Sequence, residues 1–309
     1  MNDVLSWVEN GVGRLRLNRP AALNALTLGM IRELSAALTQ WADDSSVMSV
    51  HIEGAGPRGL CAGADVRALR EAALAGSDDA VQFLREEYLL NLLIATFPKP
   101  YRADMDGIVM GGGLGISAHG SRRYVGADTR AAMPETQIGL APDVGMNWLL
   151  ARAPGELGTH LALTGVTIGA ADALAAGLAD STTAPLKPGI WPAHQGWIDE
   201  CYRSSDPAEI LCNLSEHADP AAREAAMLLA TRCPLSVAAA LEGLRRAAHL
   251  ELKDVLDLDL RVCSRLVMMP DFAEGVRAQL VDKDRNPHWT HASLADVSRG
   301  EVEALFDPI

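Results

Sequence analysis

Residues 106–117 read DGIVMGGGLGIS, and residues 59–65 read GLCAGAD. Each is a strand exit rich in glycine that feeds helix-forming sequence, beginning near Asp65 in one case and near Gly112 in the other. Main-chain N–H groups at a helix start have no acceptor inside the helix and point at whatever lies there. Glycine lets a ligand come close to that backbone, and two such ends aimed at one point could hold an oxygen that gains negative charge. Taken singly, each loop is better explained as a tight turn that lets helix and strand pack closely. The GGGLG run is not a dinucleotide fingerprint, because no acidic residue closes a following strand at the required distance. It is not a phosphate-binding P-loop either, because no Lys-Ser/Thr pair follows.

Outward from these loops, strands and helices alternate. Residues 4–17 alternate apolar and polar about Asn10-Gly11, which predicts a β-hairpin. Thr27 caps a helix in which Leu28, Ile31, Leu34, Leu38 and Trp41 recur at three- and four-residue spacing. Met48, Val50 and Ile52 form a strand ending at the Gly54–Pro57 loop. A helix is expected over about 80–96, stopped by Pro98-Lys99-Pro100. Tyr101–Met105 is a strand, and a helix follows from Gly112 to His119. This alternation through residue 180 is the α/β pattern. Residues 181–197 read as a loop rich in Pro, Thr and Gly. Helices then follow near 206–216, 220–232, 235–250 and 252–268, with no further strand. The expected division is a core over 1–190 and a helical region over 191–309.

The 309 residues are enough for a large buried core. The 49% apolar and 22% charged residues are an ordinary globular balance. No apolar run approaches the roughly 20 residues of a membrane span. The N-terminus carries no secretory or transit signal, so a cytoplasmic protein is expected. A net charge of −13 disfavours nucleic acid and anionic lipid as partners. The bases are mostly arginine, a bias of GC-rich bacterial coding. Five irregularly spaced cysteines without a CxxC fit free thiols in a reducing compartment.

A second constellation is AMPETQIGLAPDVG (132–145). Glu135 and Asp143 each follow a proline, and each is expected at a helix start. Two carboxylates so placed could divide acid, base or nucleophilic work. They could equally be carboxylates that the helix dipole favours. Glu86-Glu87 in REEYLLN (85–91) reads as a solvated helix face. His288 and His291 in HWTH lack the spacing and partners of a zinc site, so no metal is expected. Ser117 is not in a GxSxG elbow and Cys61 has no basic neighbour in sequence, so neither is supported as a nucleophile.

In this order the pieces resemble the crotonase (enoyl-CoA hydratase/isomerase) superfamily, through NRPAALNAL (18–26), CAGAD (61–65) and DGIVMGGGLGIS. Within it the chain is similar to the 3-hydroxyisobutyryl-CoA hydrolases, through REEYLLN, KPY (99–101), AMPETQIGLAPDVG, LALTG (161–165) and FAEGVRAQLVDKDRNPHW (272–289). The resemblance runs from about residue 17 to the C-terminus. It implies a spiral of strand–strand–helix repeats in two roughly perpendicular sheets, a C-terminal helical region and a homo-oligomer, often a trimer.

The resemblance also implies roles. The thioester oxygen would be held by the N–H groups of Ala64 and Gly112, with Ala62, Asp65 and Gly111 beside the substrate. Glu135 matches the catalytic glutamate, Asp143 its acidic partner and Glu87 a further substrate-contacting acid. Related hydratases carry a second catalytic glutamate three residues after the second oxyanion glycine, and here that position is Gly115. The implied activity is hydrolysis of a short 3-hydroxyacyl-CoA in valine catabolism, with CoA entering as substrate and no separate cofactor. The alternatives are hydration or isomerisation of an enoyl-CoA on the same scaffold and, more remotely, a non-catalytic binding protein. Arg19 and Arg58 are candidates for the CoA phosphates on location alone.

Overall fold

The computed structural model describes residues 2–308. The chain forms two interleaved compact units. The first comprises Met1–Asp65, Arg85–Ala132 and Thr167–Gly189; the second comprises Val66–Leu84, Met133–Val166 and Ile190–Ile309. Residue 190 is thus where the chain leaves the first unit for the last time. The segments 66–84 and 133–166 group with the C-terminal region and not with the sheets.

The first unit contains β1 (Val4–Glu9), β2 (Val12–Leu17), β3 (Ser49–Gly54), β4 (Tyr101–Met105), β5 (Ile108–Met110), β6 (Arg122–Val125), β7 (Arg130–Ala132) and β8 (Ser181–Thr182). The main sheet runs β1-β2-β3-β4-β6-β8. Only β1 and β2 are antiparallel. Their turn is closed by Asn10 and Gly11 at positive φ, the geometry that follows the strand twist. Leu15, Leu17, Val50, Ile52, Ala103 and Met105 alternate along β2, β3 and β4, and all are fully buried. Such burial is worth about 1.5–3 kcal/mol for each large side chain. The second sheet pairs β5 with β7 in parallel. Single-residue bridges extend it: Leu26 to Ala64, Cys61 to Val109 and Ala131 to Ile168.

Helices are numbered along the chain: α1 (Leu28–Asp43), α2 (Val66–Leu74), α3 (Asp79–Ala95), α4 (Gly112–Gly115), α5 (Met146–Leu150), α6 (Leu157–Thr164), α7 (Ala170–Ala175), α8 (Trp191–Cys201), α9 (Pro207–Glu216), α10 (Pro220–Leu229), α11 (Pro234–Ala247), α12 (Leu252–Leu266), α13 (Pro270–Val276) and α14 (Arg299–Leu305). Thr27 caps α1 by accepting the Met30 N–H at 3.3 Å. In the second unit α9, α10, α11 and α13 start on proline, which needs no N–H partner there. Asp206 and Asp219 cap α9 and α10. Helix α11 is buried nearly all round, from Pro234 through Leu241 and again at Gly243, Leu244 and Ala247, and is the central helix of this unit.

Three expectations need correction. The helix expected over 112–119 stops after one turn at Gly115 and passes into turns. The 181–197 segment is not all loop: it holds β8 and most of α8, whose Trp191, Trp197 and Ile198 are buried. Asp143 is not at a helix start, because α5 begins only at Met146.

Candidate active site

The loop 61–65 is fixed by backbone on both sides, within the first unit. On one side Leu26 donates to the Gly63 carbonyl at 2.8 Å and accepts from Asp65 at 2.9 Å, while Ala62 donates to Leu23. On the other, Cys61 donates to Ile108 at 3.1 Å and accepts from Met110 at 3.0 Å. Asn24, from the NRPAALNAL motif, sits behind this arrangement, buried and with positive φ. Its amide donates to the carbonyls of Ala55, Gly59 and Leu60 and accepts from the Arg19 N–H. That motif therefore holds the loop's approach in place; it carries no reacting group.

Gly111 adopts φ 49, ψ −123 and turns the chain into α4, whose first residue is Gly112. An ideal Cβ at Gly112 would lie 3.5 Å from the Ala64 nitrogen, which brings the two loops side by side. The same Cβ would run into Glu87 Oε1. Glycine is therefore required at 112 by close approach, over and above the turn. Among the described residues, neither the Ala64 nor the Gly112 N–H has a hydrogen-bond acceptor. Gly112 is buried and Ala64 partly so, and two adjacent main-chain donors without an acceptor are suited to an incoming oxygen.

Glu86 and Glu87 part company on α3. Glu86 makes a two-point pair with Arg32 at 2.7 Å and is the solvated residue of the two. Glu87 is 1% exposed, with its carboxylate over Gly112. One turn further, Asn91 is fully buried, and neither of its amide atoms has a partner among the described residues. Asp65 is half-buried and paired with Arg19 at 3.1 Å. Arg58 spends a guanidinium nitrogen on the carbonyls of Pro20 and Ala21.

In the second unit Glu135 opens a one-turn 3-10 helix behind Pro134 and is buried. The turn is tied on every side. The Thr136 hydroxyl donates to Leu163 O at 3.1 Å, Thr136 O accepts from Cys233, and Leu140 donates to Glu135 O. The LALTG motif supplies this support at the end of α6, where Thr164 O also accepts from the buried Arg232 at 2.7 Å. Burial lowers the Arg232 pKa to about 10. Gly139 backs onto Asp271, which in turn accepts from the N–H and hydroxyl of Thr290 at 2.8 Å. Arg277 gathers Glu274, Asp282 and Asp284 around itself. The FAEGVRAQLVDKDRNPHW segment is thus a brace behind residues 138–139.

Asp143 is buried, 6% exposed, at a turn where Val144 and Gly145 both have positive φ. Behind it stands Asp259 of α12, which the sequence did not single out. Its carboxyl accepts from Gly145 N–H at 2.9 Å and from the Asn147 amide at 3.3 Å. Burial first, and the charge of Asp143 second, push its pKa well above the usual carboxylate range. Only the spacing of Asp259 within DVLDLDLRV, on the inner face of an amphipathic helix, could have flagged it.

The weaker candidates are structural. Cys61 donates to Asn24 O, and burial pushes its thiol up to about 12. The Ser117 hydroxyl donates to Gly113 O at 2.6 Å. His291 pairs with Glu301. No group of three or more metal-ligating side chains occurs among the described residues. No single helix there is long and apolar enough to cross a membrane.

Within the first unit, a pair of backbone donors with a buried carboxylate beside it, on a β/α scaffold, is suited to acyl-transfer or enolate chemistry. The chain belongs to the enoyl-CoA hydratase/isomerase (crotonase) family, whose profile matches residues 12–187 and 181–306. A curated relative, "3-hydroxyisobutyryl-CoA hydrolase, mitochondrial" of Danio rerio, is 37% identical over 344 residues, spanning 100% of this chain and 90% of that protein. Among solved structures, a carnitinyl-CoA dehydratase from Mycobacterium thermoresistibile is 44% identical with a TM-score of 0.96, covering 100% of this chain and 97% of that one. An enoyl-CoA hydratase from Rhodobacter sphaeroides is 40% identical with a TM-score of 0.95, covering 100% and 98%.

Proposed function

We propose that the protein hydrolyses short 3-hydroxyacyl-CoA thioesters, 3-hydroxyisobutyryl-CoA first among them, to the free acid and CoA, as in valine catabolism. Gly115 carries the choice. Hydration needs a second carboxylate to place the water, and this position is a buried glycine whose N–H is spent on Gly111 O. The full-length likeness to proteins named as hydrolases supports the same choice.

In this mechanism the thioester oxygen sits on the N–H groups of Ala64 and Gly112, where removal of one donor costs about 3 kcal/mol of transition-state stabilisation. Glu135 either attacks the carbonyl, giving an anhydride that water opens, or takes a proton from the attacking water. Asp143, as a carboxylate, orients that step and relays to the departing thiolate the proton that the water gives up. Glu87 accepts the 3-hydroxyl of the acyl chain, a contact by which a site rejects analogues lacking the group. Ala62, Asp65 and Gly111 contact the substrate along the same loops. CoA enters as part of the substrate, and no further cofactor takes part.

A second reading, addition or removal of water at an acyl-CoA double bond, is favoured by the names of the two similar solved structures. Thiol release separates the two. The test offers 3-hydroxyisobutyryl-CoA, 3-hydroxypropionyl-CoA and crotonyl-CoA to the protein and to Glu135→Ala. Free CoA should appear from the hydroxyacyl esters only, and the variant should lose it. Hydration of crotonyl-CoA without thiol release would reverse the assignment.

A cytoplasmic, bacterial setting belongs to the same proposal, supported by arginine-rich composition and five free cysteines, all but Cys212 buried. So does a homo-oligomer, a trimer in the first instance, which rests on the family resemblance and is checked by light scattering.

A further inference from the structure

We propose that Asp259 is a positioning residue for Asp143, clamping the Pro142–Gly145 turn from behind through both of its carboxyl oxygens. The inference rests on the hydrolase reading for the role of Asp143, but its geometry stands apart from that reading. Val144 is β-branched, fully buried and held at φ 50, a conformation such residues avoid. Strain of this kind persists only where the surroundings fix it. The fixing contacts converge on α12. Asp259 Oδ2 takes the Gly145 N–H at 2.9 Å, and Asp259 Oδ1 takes the Asn147 amide at 3.3 Å. That same amide donates to Pro142 O at 2.8 Å. One turn along the helix, Cys263 Sγ reaches Ala141 O at 3.7 Å. The stretch 141–147 is therefore braced at both ends from one helix face.

The charge arrangement gives the clamp a second consequence. The wall around Asp259 presents Ala239 and Gly243 from α11, Phe306 just after α14, and Leu258, Val262 and Cys263 from α12 itself. Asn147 is the polar group from α5, and Cys263 the one titratable neighbour on its own helix. Asp143 is the only charged group acting on Asp259 among the described residues. Two carboxylates in so dry a place do not both ionise readily. Burial and the charge of Asp143 together favour the protonated form of Asp259 more than in an ordinary carboxyl. When Asp259 does lose its proton at higher pH, it sets a second negative charge beside Asp143 and raises the proton affinity of Asp143.

Two variants and two readouts test this. Asp259→Ala should speed hydrogen exchange of the Gly145 amide about tenfold or more, because the acceptor is gone. It should lower kcat about 10- to 100-fold with KM little changed, the size expected when a reacting group is misplaced. Asp259→Asn keeps the acceptor for Gly145 and cannot ionise. It should hold kcat near the unmodified value at pH 7 and move the alkaline limb of the kcat profile to higher pH. An Asp259→Asn profile that overlays the unmodified one overturns the proposal, as does Asp259→Ala with normal exchange and normal kcat. Should Asp259→Ala not fold, the Asp259→Asn profile decides. Should the unmodified protein release no thiol, the hydrolase reading fails on its own, and exchange at Gly145 still decides whether Asp259 clamps the turn.

Discussion

Acid should destabilise this protein through one histidine. His160 lies in α6, 6% exposed, with Trp191, Trp197 and Tyr202 edge-on around it at 5.2–5.5 Å between ring centres. Its Nδ1 is 2.8 Å from the Tyr202 hydroxyl. Burial, and after it the neighbouring His194, lowers its pKa from 6.5 to about 3. The folded value is depressed, so the stability tied to neutral His160 is complete above pH 6.5 and drains away as pH falls towards 3. At pH 5 the unfolded chain binds a proton there and the folded chain does not, which costs about 2 kcal/mol. That is a large fraction of the net stability of an ordinary domain. Urea titrations at pH 7.5 and pH 5.0 measure it, on the unmodified protein and on His160→Gln. The gap between the two pH values should narrow by about 2 kcal/mol in the variant, since glutamine does not titrate. Equal gaps in both proteins would refute the argument, and a shared loss at acid pH would then belong to the carboxylates. Activity should follow stability here, because α6 ends in the carbonyls that steady the Glu135 turn.

Two further outcomes test the first unit. Gly112→Ala drives a methyl into Glu87 Oε1 and against the Leu26 side chain; kcat for thiol release should drop by about 100- to 1000-fold, as when an oxyanion donor is displaced, and a value within threefold of normal would remove Gly112 from the site. Asn91→Leu exchanges two unpartnered buried amide atoms for a side chain of similar volume, and the urea midpoint should rise by the equivalent of about 1 kcal/mol; a fall would mean that the amide is partnered in solution.

Much of the scaffold was legible because it rests on local patterns. The Asn10-Gly11 turn, the Thr27 cap and the proline-led helices after residue 206 each follow from a few neighbouring residues. The tryptophan-bearing helix Trp191–Cys201 was missed because Pro192 and the glycines on either side read as loop. Pro192, however, sits at the helix start, where proline is welcome. The helix after Gly112 was overestimated because four glycines in five residues lose more entropy on ordering than any other sequence. Among the candidate site residues, both glycine loops and the pair Glu135 and Asp143 stand out from spacing, and the family resemblance implies their roles. The difference between Glu86 and Glu87 shows only through the resemblance, not in the residue pattern: both lie on one helix, and only the tertiary fold buries one and leaves Arg32 for the other. Asp259 was invisible for a related reason. Its raised pKa comes from a dry wall built by α11, α12 and Phe306, and from the charge of Asp143, more than a hundred positions away in sequence.

The interleaving of the two units bears on how the protein is made. A ribosome delivers residues in order, and the sheets with Ala64 and Gly112 are synthesised well before the last third of the chain. Glu135 emerges among them, but the groups that grip its turn arrive late: Arg232 and Cys233 first, then Asp271, and Thr290 almost last. Asp143 waits in the same way for Asp259. The nascent chain therefore carries both glycine loops long before the turns of Glu135 and Asp143 are tied down, and a transcript cut short anywhere before residue 290 yields a protein that lacks part of that grip.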